Sequence, residues 1–266
     1  MVDRYAVIGN PVAHSKSPWI HAQFARQTGQ AIEYGAILAP MDGFSRAVAD
    51  LRTAGGRGAN ITLPFKQEAF RLATRASERA RAAQAVNTVM FDGDSLFGDN
   101  TDGAGLIGDL RRNLGFDPAG KRVLLMGAGG AAQGVVSPLL ESRPARLAIA
   151  NRTERKARSL AQRFAPAVGG GYAEFAREQF DLVINATSAG LRDELPAVPT
   201  TVFATGALAY DMVYGRDTPF LRLAREAGAA ASDGLGMLVE QAAESFALWR
   251  GVRPDTAPVL AALRGT

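Results

Sequence analysis

The stretch Lys121-Arg-Val-Leu-Leu-Met-Gly-Ala-Gly-Gly-Ala-Ala-Gln-Gly134 constrains this chain more than any other. Val123 to Met126 is a short apolar run with charge before it and glycine after it. That is the pattern of a strand buried on both faces of a parallel sheet. Gly127-Ala128-Gly129-Gly130-Ala131-Ala132 follows at once and fits G-x-G-x-x-G/A. The first glycine permits a tight turn, the second lets backbone approach a pyrophosphate, and the small Ala132 lets the next helix lie close to the strand. The start of that helix offers N–H groups and a positive dipole end to phosphates. A plain glycine turn would explain the glycines, but not their place between a strand and a helix. Gly127, Ala128, Gly129, Gly130 and Ala131 are therefore candidate dinucleotide contacts.

Around this unit the chain alternates. In the second half, Leu147–Ala150, Asp181–Asn185 and Leu208–Asp211 read as further strands. A helix carries Leu160 and Phe164, and Thr218-Pro219 opens another. That is a doubly wound, Rossmann-type nucleotide domain. The first half has its own alternation. Strands are predicted at Tyr5–Ile8, Tyr34–Leu38, Gly58–Thr62 and Val86–Phe91. Helices are predicted from Ser17-Pro18, with Ser17 as N-cap, from Phe44, Val48 and Leu51, and around Phe70 and Leu72. Leu235, Leu238, Val239, Ala242, Phe246 and Trp249 keep helical spacing near the C-terminus. The fold class is α/β with two domains. A substrate-binding domain is expected over 1–102, completed by C-terminal helices over 237–266, with the nucleotide domain over 103–236.

Strand two of the nucleotide domain ends in Asn151-Arg152-Thr153, with Lys156 close behind. An NAD-binding unit carries an acid at this strand end to hold the ribose 2′-hydroxyl. None stands here. Arg152 and Lys156, four apart on one helix face, suit a 2′-phosphate instead, and basic residues at a helix start otherwise oppose its dipole. The pattern points to NADP(H).

Composition narrows the class. No apolar run approaches the roughly 18 residues of a membrane span. Met1-Val-Asp-Arg-Tyr5 carries no signal-peptide core. There is no cysteine, so neither disulfides nor thiolate chemistry, which fits a cytoplasmic location. The net charge of +4 is scattered, without a nucleic-acid type block. Only four basic residues are lysines against 26 arginines, so each lysine is slightly more informative than usual. No cluster has metal-ligand spacing, and no metal is expected.

Taken together, Gly9-Asn-Pro-Val-Ala-His-Ser-Lys-Ser-Pro18, Asn60-Ile-Thr-Leu-Pro-Phe-Lys66, Ala85-Val-Asn-Thr88 and Gly98-Asp-Asn-Thr-Asp-Gly103 make the first half resemble the shikimate dehydrogenases. Asn151-Arg-Thr153, Ile184-Asn-Ala-Thr-Ser188, Tyr210-Asp-Met-Val-Tyr214 and Asp233-Gly-Leu-Gly-Met-Leu-Val-Glu-Gln241 extend the resemblance along the whole chain. It implies reduction of 3-dehydroshikimate to shikimate with NADPH, in chorismate and aromatic amino-acid biosynthesis. It implies Lys66 and Asp102 as the catalytic pair, and Ser15 and Ser17 on the substrate carboxylate. Thr62, Asn87 and Gln241 would hold ring hydroxyls, with Asn60 nearby and Tyr214 coming from the cofactor domain. It places Gly127 through Ala131 on the pyrophosphate, and Asn151, Arg152, Thr153 and Lys156 at the adenosine phosphate. Thr187, Met212 and Gly236 would line the nicotinamide side, with Glu78 a further cofactor contact. The implied partners are a small-molecule substrate and at most a second copy, as monomer or homodimer, with no nucleic acid and no membrane.

Without the resemblance each residue has a plain reading. Ser17 is explained by capping, Lys66 by an exposed helix start, and Asp102 by a turn before Gly103. Ser15 has no such structural reason, and Asn87, read inside an apolar strand, needs partners for its amide. His14 and His21, the only histidines, have no motif partner and are not expected to be catalytic. Three other readings stay open. An NAD-using quinate/shikimate dehydrogenase is opposed by Asn151-Arg152-Thr153. A non-catalytic NADP sensor is opposed by the presence of both Lys66 and Asp102. An amino-acid or tetrahydrofolate dehydrogenase leaves Ser15 and Ser17 unexplained.

Overall fold

The computed structural model describes residues 2–265 and divides the chain into two compact units, Met1–Gly105 with Leu238–Thr266, and Leu106–Met237. Met1 and Thr266, the outer limits of the expected substrate domain, lie outside the described residues.

The first unit runs β1 (Asp3–Gly9), α1 (Ser17–Thr28), β2 (Ile32–Leu38), α2 (Phe44–Thr53), β3 (Gly56–Ile61), α3 (Lys66–Leu72), β4 (Arg75–Ala76), α4 (Glu78–Ala83), β5 (Thr88–Asp92) and β6 (Ser95–Asp99). Its sheet has the order β2-β1-β3-β5-β6-β4. The first three strands are parallel, and β5 pairs antiparallel with both β3 and β6. The turn at Gly93, whose φ is +52°, folds β5 back on β6 and makes the sheet mixed. β4, α4 and β6 are too short to carry a periodic signal in the sequence. Phe44 and Phe65 stack at 4.9 Å in a core shared with Ile8, Ile61, Val86 and Val89.

From Leu238 onward, α10 (Leu235–Arg250) and α11 (Ala257–Arg264) belong to this unit. The Trp249 ring stacks on Tyr5 at 4.5 Å, and its indole N–H donates to the Val89 carbonyl at 3.0 Å. Between the units' residues the chain passes through α5 (Asp102–Gly108), which continues as a π-helical turn over Asp109–Asn113.

The second unit runs β7 (Arg122–Met126), α6 (Gly130–Glu141), β8 (Arg146–Ala150), α7 (Glu154–Gln162), β9 (Val168–Gly170), α8 (Tyr172–Phe175), β10 (Phe180–Asn185), β11 (Phe203–Asp211), α9 (Pro219–Glu226) and β12 (Ala230–Asp233). The order is β12-β11-β10-β7-β8-β9, and every pairing is parallel. The first three strands of the unit go one way from β7 and the next three go the other way, which is the Rossmann arrangement. β7 is buried on both faces. Val123 and Leu125 pack into a cluster with Val135, Val136 and Leu139 of α6, while Leu124 and Met126 face a second cluster with Phe180, Val183 and Phe220. That is why its sequence reads as an unbroken apolar run. Phe164 lies beyond α7, which stops at Gln162; the residue is half-buried against the first cluster rather than on a helix face.

Candidate active site

α3 begins at Lys66 and α5 begins at Asp102. The two side chains meet, with Lys66 Nζ 2.6 Å from Asp102 Oδ2 and side-chain exposures of 17% and 7%. Lys66 is therefore not the open first-turn lysine that its place after Pro64 would allow. The other Asp102 oxygen, Oδ1, accepts from the Asn87 amide at 2.9 Å. Asn87 is buried but precedes β5 rather than lying within it. Its side-chain Oδ1 accepts from the Thr101 N–H at 2.8 Å, which fixes its NH2 toward Asp102, Thr101 and Gln241. Gln241, on α10, holds its own amide by donating to the Leu238 carbonyl at 2.8 Å.

A second layer supports this one. Asn60, at the end of β3, donates to the backbone carbonyl of Asn87 and to the Thr88 and Ser245 hydroxyls, and its Oδ1 accepts from the Tyr34 hydroxyl at 2.7 Å. Its amide is fully engaged. The segment leading to Asp102 is held by Asp99. Burial pushes that carboxyl up, but Arg79, Ser77 and the Asn100 N–H outweigh burial and hold it below its ordinary value. Thr88 and Thr101 stand inside the family motifs but were given no role, and Ser245 and Tyr34 carry no local signal as site residues. Only the topology brings them together.

Ser15 and Ser17 exchange their expected roles. Lys16 takes the cap position of α1 and makes no side-chain cap, while Ser15 Oγ accepts from the Ser17 N–H at 3.3 Å. Ser15 thus has the structural reason that Ser17 lacks. Ser17 is buried, with its hydroxyl beside that of Tyr34. Thr62 is half-buried just after β3, its N–H donating to the Ile8 carbonyl at 3.0 Å. His21 lies wholly buried against the Tyr34 ring at 4.1 Å, and burial pushes it down to about 3, so it is no proton donor near neutral pH. Glu78 is exposed at the first turn of α4, where a carboxylate favours the helix start. No hydrogen bond or ion pair joins it to another candidate among the described residues.

In the second unit, Gly127 follows β7 with φ +114°, and a Cβ there would press on the Ala186 carbonyl at 3.0 Å. Gly129 is the N-cap of α6 without a side-chain cap, and open space surrounds the missing Cβ of both Gly129 and Gly130. Backbone N–H groups at the start of a 12-residue helix, uncovered by side chains, fit a pyrophosphate. Asn151 follows β8, and its amide donates to the Thr153 carbonyl at 2.9 Å. Thr153 precedes α7. Arg152 and Lys156 are exposed, without an ion pair among the described residues, and fit a phosphate dianion. Thr187 and Met212 follow β10 and β11. Tyr214, two residues past Met212, is half-buried. Gly236 is buried, and its being glycine has a local reason, because a Cβ there would meet the Asp109 carboxylate at 1.9 Å. Asp109 in turn accepts from the Tyr210 hydroxyl at 2.6 Å.

Among the described residues no group of three or more His, Asp or Glu is placed to hold a metal ion, and no helix is long and apolar enough to cross a membrane. Three family descriptions match along the chain. They are the shikimate dehydrogenase substrate binding domain over residues 7–89, shikimate/quinate 5-dehydrogenase over 110–192, and the shikimate 5′-dehydrogenase C-terminal domain over 234–264. The shikimate dehydrogenase (NADP(+)) of Dechloromonas aromatica is 61% identical, with 99% of this chain and 98% of that protein covered. Its counterpart from Methylobacillus flagellatus is 60% identical, with 99% of each covered. The crystal structure of Thermus thermophilus shikimate 5-dehydrogenase, in complex with NADP(H) and shikimate, superposes with a TM-score of 0.89 at 36% identity, covering 100% of this chain and 99% of that one. On fold and sequence together, this chain belongs to the shikimate dehydrogenase family.

Proposed function

We propose that this chain catalyses the reversible NADPH-dependent reduction of 3-dehydroshikimate to shikimate, in chorismate and aromatic amino-acid biosynthesis. The single observation that carries the chemistry is the Lys66–Asp102 pair, closed at 2.6 Å on a buried amide network. The first unit, with α10 and α11, is the substrate domain and the second is the cofactor domain. NADPH, when bound, supplies the hydride.

The residues of the chain do the rest. Negative charge develops on the ketone oxygen as the hydride arrives. The Lys66 ammonium stabilises that charge and donates the proton. Asp102 holds Lys66 through Oδ2, and Asn87 holds Asp102 through Oδ1, so the donor is aimed before substrate arrives. Ser15 and Ser17 bind the substrate carboxylate. Thr62, Asn87 and Gln241 bind ring hydroxyls, joined by Tyr214. Asn60 stands beside them on the substrate side and holds the backbone carbonyl of Asn87. Gly127 through Ala131 hold the pyrophosphate, and Asn151, Arg152, Thr153 and Lys156 hold the adenosine phosphate end. Thr187, Met212 and Gly236 border the nicotinamide, and Glu78 is a peripheral cofactor contact. The cofactor is NADP(H), since β8 ends without an acid for the ribose 2′-hydroxyl.

The test is NADPH formation by the purified protein with shikimate, run beside quinate and beside NAD. Shikimate with NADP turns over fastest on this reading. Preference for quinate with NAD would make the protein a quinate/shikimate dehydrogenase. Binding of NADP without turnover of either acid would make it a sensor.

A further inference from the structure

A buried carboxylate at the C-terminal edge of the parallel sheet has no part in the chemistry above. Asp211 ends β11 and is fully buried. Its Oδ1 accepts from the Val213 N–H at 3.0 Å, and its Oδ2 accepts from the Thr218 hydroxyl at 2.6 Å and the Asn185 amide at 3.1 Å. Asn185 ends β10 and is equally buried.

The polarity of this cluster follows from backbone groups that can only donate. The Thr187 N–H faces an Asn185 side-chain atom at 3.1 Å, so that atom is the carbonyl Oδ1 and the NH2 faces Asp211. The Thr187 hydroxyl lies 2.7 Å from the same Oδ1. A carbonyl oxygen cannot donate, so the single hydroxyl proton is committed to it. The Ala189 N–H takes one of the hydroxyl's lone pairs at 3.3 Å. Thr187 therefore presents one remaining lone pair. It can accept a hydrogen bond from a ligand and cannot give one.

Thr187 also stands at the switch point of the sheet. β10 and β7 are neighbours, and the Thr187 methyl carbon lies 3.4 Å from where a Cβ on Gly127 would be. A dinucleotide crosses a Rossmann sheet at this place. We infer that Asp211, acting through Asn185, fixes the Thr187 hydroxyl as an acceptor for the carboxamide NH2 of the nicotinamide, and so selects against a ring substituent that cannot donate. The inference rests on the NADP reading above. It makes Asp211 and Asn185 positioning residues for the cofactor.

The test compares binding of NADP with binding of its 3-acetylpyridine analogue, in which a methyl group replaces the amide NH2. Titration calorimetry on the whole protein reads both affinities without turnover. The unaltered protein binds NADP about fivefold more tightly, the worth of one neutral hydrogen bond. Thr187→Val, equal in shape but without the acceptor, binds the two equally, and Thr187→Ser restores the preference. Asp211→Asn turns an NH2 against either the Val213 N–H or the Asn185 NH2, and the preference drops below about twofold. Should that variant not fold, Asn185→Ala carries the same test. An unaltered protein without preference would overturn the inference. Thr187→Val weakening both ligands equally would also overturn it, by giving the acceptor to a ribose hydroxyl. An unchanged preference in Asp211→Asn or Asn185→Ala would remove the positioning role. Failure of the unaltered protein to bind NADP at all would instead remove the functional reading.

Discussion

The two units make their polar sites from different material. In the second, the phosphate-binding turn is backbone: Gly127 at φ +114°, then Gly129 and Gly130 at the uncapped start of α6, on strands of a wholly parallel sheet. In the first, the site is side chains. Lys66, Asn87, Asp102 and Gln241 come from separate segments and meet through hydrogen bonds of 2.6 to 3.3 Å. A backbone site needs particular residues in a row, because only glycine allows the close approach. A side-chain network needs only that the fold bring amides, hydroxyls and charges together, and it is then sensitive to every member.

The comparison breaks most sharply at Lys66 and Asp102. Lys66→Ala or Asp102→Ala should each lower kcat by about 10²- to 10⁴-fold, the usual contribution of acid–base catalysis. NADP affinity, measured by direct titration, should stay within a few-fold, because neither residue belongs to the phosphate-binding turn. A parallel fall in NADP affinity would mean that the two sites are not built separately.

Arg152→Ala attacks the second unit instead. The exposed guanidinium is assigned to the 2′-phosphate, which NAD lacks. NADP binding should weaken by about 2 kcal/mol, roughly 30-fold, with NAD nearly unaffected. Equal loss with both would point to damage around β8 and α7.

Ser15→Ala with Ser17→Ala should cost at least about tenfold in kcat/KM for shikimate, mostly in KM, as two hydrogen bonds to a carboxylate are lost. Ser15 Oγ also receives the Ser17 N–H, so Ser15→Ala alone should lower thermal stability slightly, and Ser17→Ala should do so by removing the hydroxyl beside Tyr34. An unchanged kcat/KM in the double variant would take both serines out of the substrate site.

The remaining effect concerns stability and leaves activity near neutral pH untouched. His21 is pushed by burial from its ordinary 6.5 down to about 3. The unfolded chain takes up a proton as pH falls through 6.5, and the folded chain does not until about 3. This residue's contribution is intact above 6.5 and is lost on acidification by up to about 1.4 kcal/mol per pH unit. His21→Phe, which keeps a ring against Tyr34, should flatten the decline of urea-unfolding free energy between pH 6.5 and 4.5. An unchanged slope would assign that decline to the carboxylates.

Legibility followed the same division. The run Val123–Met126 and the glycines after it specify strand, turn and helix locally, and the strand order of the second unit follows from repeated βα steps. β12 was not legible, because Ala230-Ala231-Ser232-Asp233 has no strand-like composition and pairs only because β11 supplies an edge. In the first unit, Lys66 and Asp102 were legible through family motifs, but the 36 residues between them hide their contact. Ser245 and Tyr34 were not legible at all, since a hydroxyl on a helix or strand looks the same whether it faces solvent or Asn60. Ser17 misled for a different reason: Ser before Pro reads as a cap, and α1 starts one residue earlier than that rule allows.

We infer that Lys66 and Asp102 act as one proton-handling unit in the first unit's network. A double-mutant cycle on kcat for shikimate oxidation by NADP tests it most directly, with Lys66→Ala, Asp102→Ala and the pair together. Residues serving one transition state are strongly non-additive, so the double variant should be little slower than the poorer single variant. If the two losses multiply, the residues work independently and the pair assignment fails. If Lys66→Ala retains near-normal kcat, the proton comes from elsewhere and Lys66 is not the acid.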